Sequence, residues 1–306
     1  MTDLSITVNG ITFRNPVLVA SGIAGWGTEW AGLCDFEKLG GIVLKGVSTE
    51  PWPGNPPPRL YETPSGLLNA IGLENVGLDV FLDEKLPALR NVDTAIIANV
   101  VGRTTDEYAE VCSALGNIDR IAALEINVSC PNVQSCGIAF GTDVNALGEV
   151  ISACRKSADK PLWAKLSPNV NDIAPFAVAA AEAGADALTV ANTMPAMAID
   201  VETQRPVLGN VYGGLSGPAI FPITLRLVHR AAHAVGVPII ASGGAAGWRE
   251  IAAFILAGAS LVQMGTILFR DPRAPEAAVT GLAEYVEKRA VKSARELIGA
   301  VEKEFR

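Results

Sequence analysis

The sequence lacks the marks of several large protein classes. Its 24 Lys and Arg residues are outnumbered by 32 Asp and Glu, giving a formal net charge of −8. No basic stripe is present either, whereas a nucleic-acid binder should carry one. No C-x-x-C pair occurs among the five cysteines, Cys34, Cys112, Cys130, Cys136 and Cys154. That odd count points to a reducing compartment and to no zinc or iron–sulfur site in this chain. There is no run of eighteen apolar residues; the most apolar stretch, Ala174–Ile199, is broken by Glu182 and Asp186, so no membrane span is expected. Met1–Asn15 has no charged segment followed by an apolar core, so no signal peptide is read and a soluble, cytoplasmic chain is expected. Nor does a Gly-x-Gly-x-x-Gly follow the first apolar run, since Gly22, Gly25 and Gly27 are wrongly spaced; this argues against a tightly held NAD. Repeats, low-complexity tracts and domain linkers are also missing, and residues 1–306 read as one domain.

Hydrophobic residues make up 49% and charged residues 18% of the chain, a balance that suits strands buried on both faces. A chain of this length should bury roughly 75% of its unfolded surface and needs no disulfide or structural metal. Leu4–Phe13 alternates around Asn9-Gly10, the signature of a β-hairpin. Eight short apolar runs follow: Val17–Ala20, Gly41–Lys45, Ala95–Asn99, Ala123–Val128, Leu162–Leu166, Ala187–Ala191, Pro238–Ala241 and Leu261–Met264. Between them, helical spacing is clearest at Asp106–Leu115, Asn145–Ser157, Asp172–Ala183, Ala219–Val235 and Trp248–Ala257, with a tail helix near Pro275–Arg289. Gly184 and Gly258 stand where a helix C-cap is expected. Eight strand–helix units predict an α/β fold, a closed (β/α)8 TIM barrel, with an open doubly wound sheet as the alternative. Two connections, Val47–Leu78 and Asn192–Gly217, are too long for plain barrel loops. Both follow a strand's C-terminal end, the face on which barrel active sites sit.

The strand ends carry the chemistry. Ser21, Lys45, Asn99, Asn127, Lys165 and Asn192 all fall where a strand meets the barrel mouth. Buried without partners, such groups cost on the order of 1–3 kcal/mol each, so a polar ligand that satisfies them together is expected. Gly243-Gly244 after the seventh run and Gly265-Thr266 after the eighth fit a phosphate site between the last two loops. A phosphate there, with Lys165 and the asparagines deeper in, matches FMN in size and polarity. The run Asn127-Val128-Ser129-Cys130-Pro131-Asn132 places Cys130 on a mouth loop, where a cation such as Lys45 would favour its thiolate as a base. Cys34, Cys112 and Cys154 fall in helical segments and read as inert packing. Cys136 shares the loop with Cys130, but two cysteines alone make a poor metal site, and no metal is expected.

Asn127–Asn132, followed by Gly137-Ile-Ala-Phe-Gly-Thr-Asp143, resembles the active-site loop of the class 1 dihydroorotate dehydrogenases, where the membrane-associated class 2 has serine for Cys130. Asn15–Gly22, Lys45-Gly46, Gly54-Asn-Pro56, Glu62–Gly66, Asn69–Leu73, Ile97–Asn99, Lys165–Asn169, Met197–Asp200, Gly213–Pro218 and Gly243-Gly244 extend the resemblance over essentially the whole chain, with loop wording closest to class 1B. The resemblance implies oxidation of dihydroorotate to orotate in pyrimidine biosynthesis. Cys130 would take the C5 proton. FMN would take the hydride and be held by Ser21, Lys45, Gly46, Asn99, Asn127, Lys165, Ala191, Gly217, Gly243, Gly244, Gly265 and Thr266. Lys45, Asn69, Ala70, Ile71, Gly72, Leu73, Asn127, Asn192 and Thr193 would hold the substrate, with Asn132 a further loop candidate. The resemblance also implies an electron-transfer subunit carrying FAD and a 2Fe-2S cluster that passes electrons to NAD, and a homodimer within a heterotetramer. Alternatives are a class 1A-like enzyme that uses fumarate without a partner, and a phosphate-binding barrel lyase or isomerase without flavin. Three positions depart from the family pattern: Ile23-Ala24-Gly25-Trp26 after the first Ser-Gly, Ala196 before Met197, and Cys136.

Overall fold

The structure is a computed structural model that describes residues 3–30, 32–128 and 140–301. Strands β1 (Ile6–Val8) and β2 (Ile11–Phe13) form the expected hairpin, pairing Ile6 with Phe13 and Val8 with Ile11. Asn9 and Gly10 at its tip have φ of 51° and 80°, as a tight two-residue hairpin turn requires. The hairpin covers the N-terminal end of the barrel. Asn9 Nδ2 donates to the Asp186 carbonyl at 2.9 Å, and the indole of fully buried Trp163 donates to Asn9 Oδ1 at 3.0 Å.

The chain then runs through β3 (Val17–Val19), β4 (Gly41–Val47), an excursion containing β5 (Leu60–Thr63) and β6 (Gly66–Asn69), β7 (Ala95–Val100), β8 (Ala123–Asn127), β9 (Leu162–Lys165) and β10 (Ala187–Val190). A second excursion contains β11 (Met194–Ala196), β12 (Ile199–Asp200), β13 (Arg205–Pro206) and β14 (Gly213–Ser216), and β15 (Ile239–Ser242) and β16 (Ala259–Met264) follow. The order β3-β4-β7-β8-β9-β10-β15-β16 closes on itself with parallel pairing throughout, a TIM barrel rather than an open sheet. Each of the eight apolar runs supplies one of these strands. They read as unbroken hydrophobic runs because the strands are buried on both faces, toward the interior and toward the helices.

The helices are a short α1 (Leu78–Val80) that runs on through π and 3-10 turns to Leu89, α2 (Thr105–Gly116), α3 (Val144–Ser157), α4 (Ala174–Glu182), α5 (Phe221–Ala232), α6 (Trp248–Leu256) and α7 (Ala274–Lys288). Their boundaries have local causes. Thr104 caps α2 by accepting from the Glu107 amide, and Asp143 caps α3 by accepting from the amides of Asn145 and Ala146. Gly184 and Gly258, with φ of 105° and 115°, lie just past α4 and α6 as anticipated. No helix among the described residues is long and apolar enough to cross a membrane.

The two long connections are parts of one element. They form a four-stranded antiparallel sheet of order β11-β14-β6-β5, with a satellite hairpin β12-β13. Leu68, Ala70 and Leu208 form a small core of its own. The sequence places both connections on the active-site face but gives no signal that they pair.

Candidate active site

The C-terminal ends of the barrel strands and the four-stranded sheet enclose a cavity of about 360 Å³. All six strand-end polar residues lie on its wall: Ser21, Lys45, Asn99, Asn127, Lys165 and Asn192. Gly46, Ala191, Gly243, Gly244, Gly265 and Thr266 join them from the barrel side, and Asn69, Ile71, Gly72, Leu73, Thr193 and Gly217 from the sheet side. Ala70 is the exception. Alternation along the extended chain turns Leu67, Asn69 and Ile71 to the cavity and Leu68 and Ala70 to the sheet's own core, so the Ala70 side chain is off the wall.

The floor is built around Glu125, which sequence reasoning passed over. It is fully buried on β8. Its Oε1 accepts from Asn99 Nδ2 at 2.9 Å and stands 3.6 Å from the Lys165 ammonium. Its Oε2 accepts from Thr189 Oγ1 at 2.8 Å and from Gln263 Nε2 at 2.6 Å. Asn99 and Lys165 lie on the strands flanking β8, whereas Gln263 on β16 reaches across the barrel interior. Above the floor, Asn127 Nδ2 donates to Asn99 Oδ1 at 3.4 Å, and Asn192 Nδ2 donates to Asn127 Oδ1 at 3.2 Å. A lone carboxylate and a lone amide inside two apolar strand runs were the available sequence signal for Glu125 and Gln263.

At the mouth, Lys45 lies 3.7 Å from Glu74, which also pairs with Arg59. The hydrogen bond from Arg59, then the Lys45 charge, holds the Glu74 carboxyl below the ordinary carboxylate range. Part of the Lys45 charge is therefore met by Glu74. Arg59 and Glu74 also line the cavity and were not anticipated.

The glycine loops have the geometry an anion needs. Gly243 and Gly244 have φ of 133° and 88°, and a Cβ on Gly244 would lie 2.5 Å from the Phe221 Cα at the start of α5. Only glycine lets the loop after β15 approach that helix N-terminus so closely. Thr266 Oγ1 donates to Ser216 Oγ at 2.7 Å, joining the loop after β16 to the end of β14. Convergent donors, an ammonium and a glycine-lined end suit a ligand with a polar ring at one end and a phosphate at the other.

Cys130, Asn132 and Cys136 lie outside the described residues. Cys34, Cys112 and Cys154 are buried. Burial pushes the Cys34 thiol up to about 12, with Glu276 and Asp35 adding to the effect. The Cys112 thiol is raised well above its ordinary value by its hydrogen bond with Cys154 and by burial. None of the three reaches the cavity wall. The unusual Ile23–Trp26 segment serves packing and the wall. Ile23 lines the cavity, Trp26 packs against Phe81 with ring planes tilted by 44° and centroids 5.4 Å apart, and the Gly25 carbonyl accepts from the Lys45 amide at 2.9 Å. Ala196 pairs with Gly213 in the sheet.

Comparison with known proteins agrees with this architecture. The dihydroorotate dehydrogenase family model matches residues 3–286. Proteins described as "Dihydroorotate dehydrogenase B (NAD(+)), catalytic subunit" from Geotalea uraniireducens and Geotalea daltonii are 51% and 50% identical over 299 residues, covering 98% of this chain and 98% of each relative. The counterpart from Pelobacter propionicus is 49% identical over 300 residues, covering 98% of this chain and 99% of its own. A solved structure of DHODH from Eimeria tenella, in complex with ferulenol, superposes with a TM-score of 0.82 over 97% of this chain and 88% of its own; at 22% identity it speaks to the fold alone. With a family match over nearly its whole length and relatives at half identity, the chain belongs to the dihydroorotate dehydrogenase family.

Proposed function

We propose that this chain is the FMN-binding catalytic subunit of an NAD(+)-linked dihydroorotate dehydrogenase, acting in the cytoplasm and oxidising dihydroorotate to orotate for pyrimidine synthesis. The observation that carries the reading is the convergence of six strand-end polar groups and two glycine loops on one cavity in a chain of this family.

The cavity fits FMN. Gly243, Gly244, Gly265 and Thr266 offer backbone amides to a phosphate at its glycine-lined end. Ser21, Lys45, Gly46, Asn99, Asn127, Lys165, Ala191 and Gly217 line the space for the ring. Gln263 Oε1, on a wall residue, is a buried acceptor with no partner among the described residues, as expected of a wall that a ligand completes. When bound, FMN supplies the hydride acceptor for C6 of the substrate.

The chain's own groups do the rest. Lys45, Asn69, Asn127, Asn192 and Thr193, with the 70–73 backbone, bind the substrate carboxylate and ring amides. Cys130 removes the C5 proton; that assignment rests on its place in the Asn127–Asn132 motif. Lys165 presents positive charge where reduction builds negative charge. The four-stranded sheet over the cavity keeps water from the reacting atoms. Onward electron transfer uses a partner subunit carrying FAD and a 2Fe-2S cluster, in a heterotetramer built on a dimer of this chain. The words "NAD(+)" and "catalytic subunit" in the relatives' descriptions support a partner subunit and NAD(+) as the acceptor.

Rapid mixing with dihydroorotate under anaerobic conditions tests the reading. Cys130→Ala should keep its flavin colour and reduce it about 10²–10⁴-fold more slowly than wild type. Reduction at the native rate would remove Cys130 as the base.

A further inference from the structure

Glu125 does not line the cavity, yet it bonds three side chains that do: Asn99, Lys165 and Gln263. A carboxylate accepts hydrogen bonds and cannot donate them, whereas an amide does both. Because Glu125 accepts from Asn99 Nδ2, Asn99 must turn its Oδ1 the other way, toward Asn127. Asn127 must then answer with its Nδ2, which leaves its Oδ1 to accept from Asn192 Nδ2. Asn192 Oδ1 in turn accepts from the Thr193 amide at 2.8 Å. The same logic on the other side of the barrel fixes Gln263, whose Nε2 is committed to Glu125. Every link has the same polarity, and the acceptor at its end is a single buried carboxylate with the Lys165 ammonium beside it.

We infer that Glu125 is a positioning residue that sets the hydrogen-bond polarity of the cavity by orienting the amides of Asn99, Asn127, Asn192 and Gln263, and that it balances the Lys165 charge beneath the cofactor ring. The ring in question is that of the flavin proposed above, and the inference rests on that reading. Asn99, Lys165, Thr189 and Gln263 face the carboxylate from β7, β9, β10 and β16. Removing its charge leaves Lys165 uncompensated and lets the amides turn. Negative charge gained by the ring on reduction is then stabilised more than in wild type.

Glu125→Gln keeps the side chain's size, removes the charge and turns one acceptor oxygen into a donor. Its bound flavin, reconstituted with FMN and titrated spectroscopically against redox dyes, should favour the reduced form at least tenfold over wild type, a rise of about 30 mV for a two-electron couple. An unchanged potential in the folded variant overturns the inference. Neutron diffraction of the deuterium-exchanged wild-type protein gives a second reading that needs no variant. It should show deuterons on the Asn99 and Gln263 nitrogens facing Glu125, and none on the carboxylate. A deuteron on Glu125, or an Asn99 oxygen facing it, overturns the inference even if Glu125→Gln does not fold. A protein that takes up no FMN counts against the cofactor reading instead, and the amide orientations remain measurable in it.

Discussion

Gly244→Ala isolates the glycine cradle in one methyl group. Gly244 has φ of 88°, a left-handed conformation that costs an L-residue roughly 1–2 kcal/mol. The added Cβ would also lie 2.5 Å from the Phe221 Cα and 2.6 Å from its backbone nitrogen, where ordinary contact begins at 3.4 Å. These are backbone atoms at the first turn of α5, so relief requires the loop and helix to part by most of an ångström. Overpacking of this kind costs about 1–3 kcal/mol. Together the two effects predict a loss of roughly 2–5 kcal/mol, or a fall in Tm of roughly 3–8 °C for a chain of this size. Parting the loop from the helix also disrupts the amides that would meet the phosphate, so FMN affinity should fall about tenfold, the scale of one lost hydrogen bond to a charged group. Gly148→Ala is the matched control. Gly148 sits inside α3 with nothing within 4 Å of its would-be Cβ, so the same methyl should stabilise by up to ~1 kcal/mol. Differential scanning fluorimetry and quenching of flavin fluorescence read both effects. A Gly244→Ala protein with native Tm and native FMN affinity would refute the cradle.

Two further substitutions probe the scaffold. Asn9→Ala removes the bond to the Asp186 carbonyl, strands the buried Trp163 indole N–H and places alanine at φ 51°. It should cost roughly 3–5 kcal/mol by denaturant unfolding, and Asn9→Gly, free of the backbone strain, should cost less. Asp172 is held at about 2 by its paired hydrogen bonds with Arg230 and by the Ala174 amide. A depressed carboxyl stabilises the fold above its unfolded value near ~3.9, and that contribution is lost as pH falls toward 2. The wild-type Tm should therefore drop more steeply than that of Asp172→Asn between pH 4 and pH 2; parallel curves would show that the pair contributes nothing.

Much of this fold is legible in the sequence because barrel strands are buried on both faces and so stand out as apolar runs. The Asn9-Gly10 turn and the glycines after α4 and α6 carry their own backbone signatures. The strand-end polar residues were readable for the same reason in reverse: Lys45 and Asn99 are conspicuous at the ends of runs such as Gly41–Lys45 and Ala95–Asn99. The four-stranded sheet was not. Leu60, Tyr61 and Glu62 on β5 are exposed, so no face is marked by hydrophobicity, and β6 finds its second partner, β14, about 145 residues away, as in the Asn69–Gly214 bond. Glu125 and Gln263 were visible as oddities, but their partnership exists only once the barrel closes and sets β8 opposite β16. Arg59 and Glu74 belong to the proline-rich connection, where no periodicity points a side chain toward the cavity.

The most direct measurement is the visible spectrum of the purified chain during anaerobic titration with dihydroorotate. The protein should be yellow and its flavin bands should bleach, with an end point at one dihydroorotate per bound FMN. A yellow protein that dihydroorotate leaves unbleached would contradict the substrate. A colourless protein that cannot be reconstituted with FMN would contradict the cofactor and the mechanism with it.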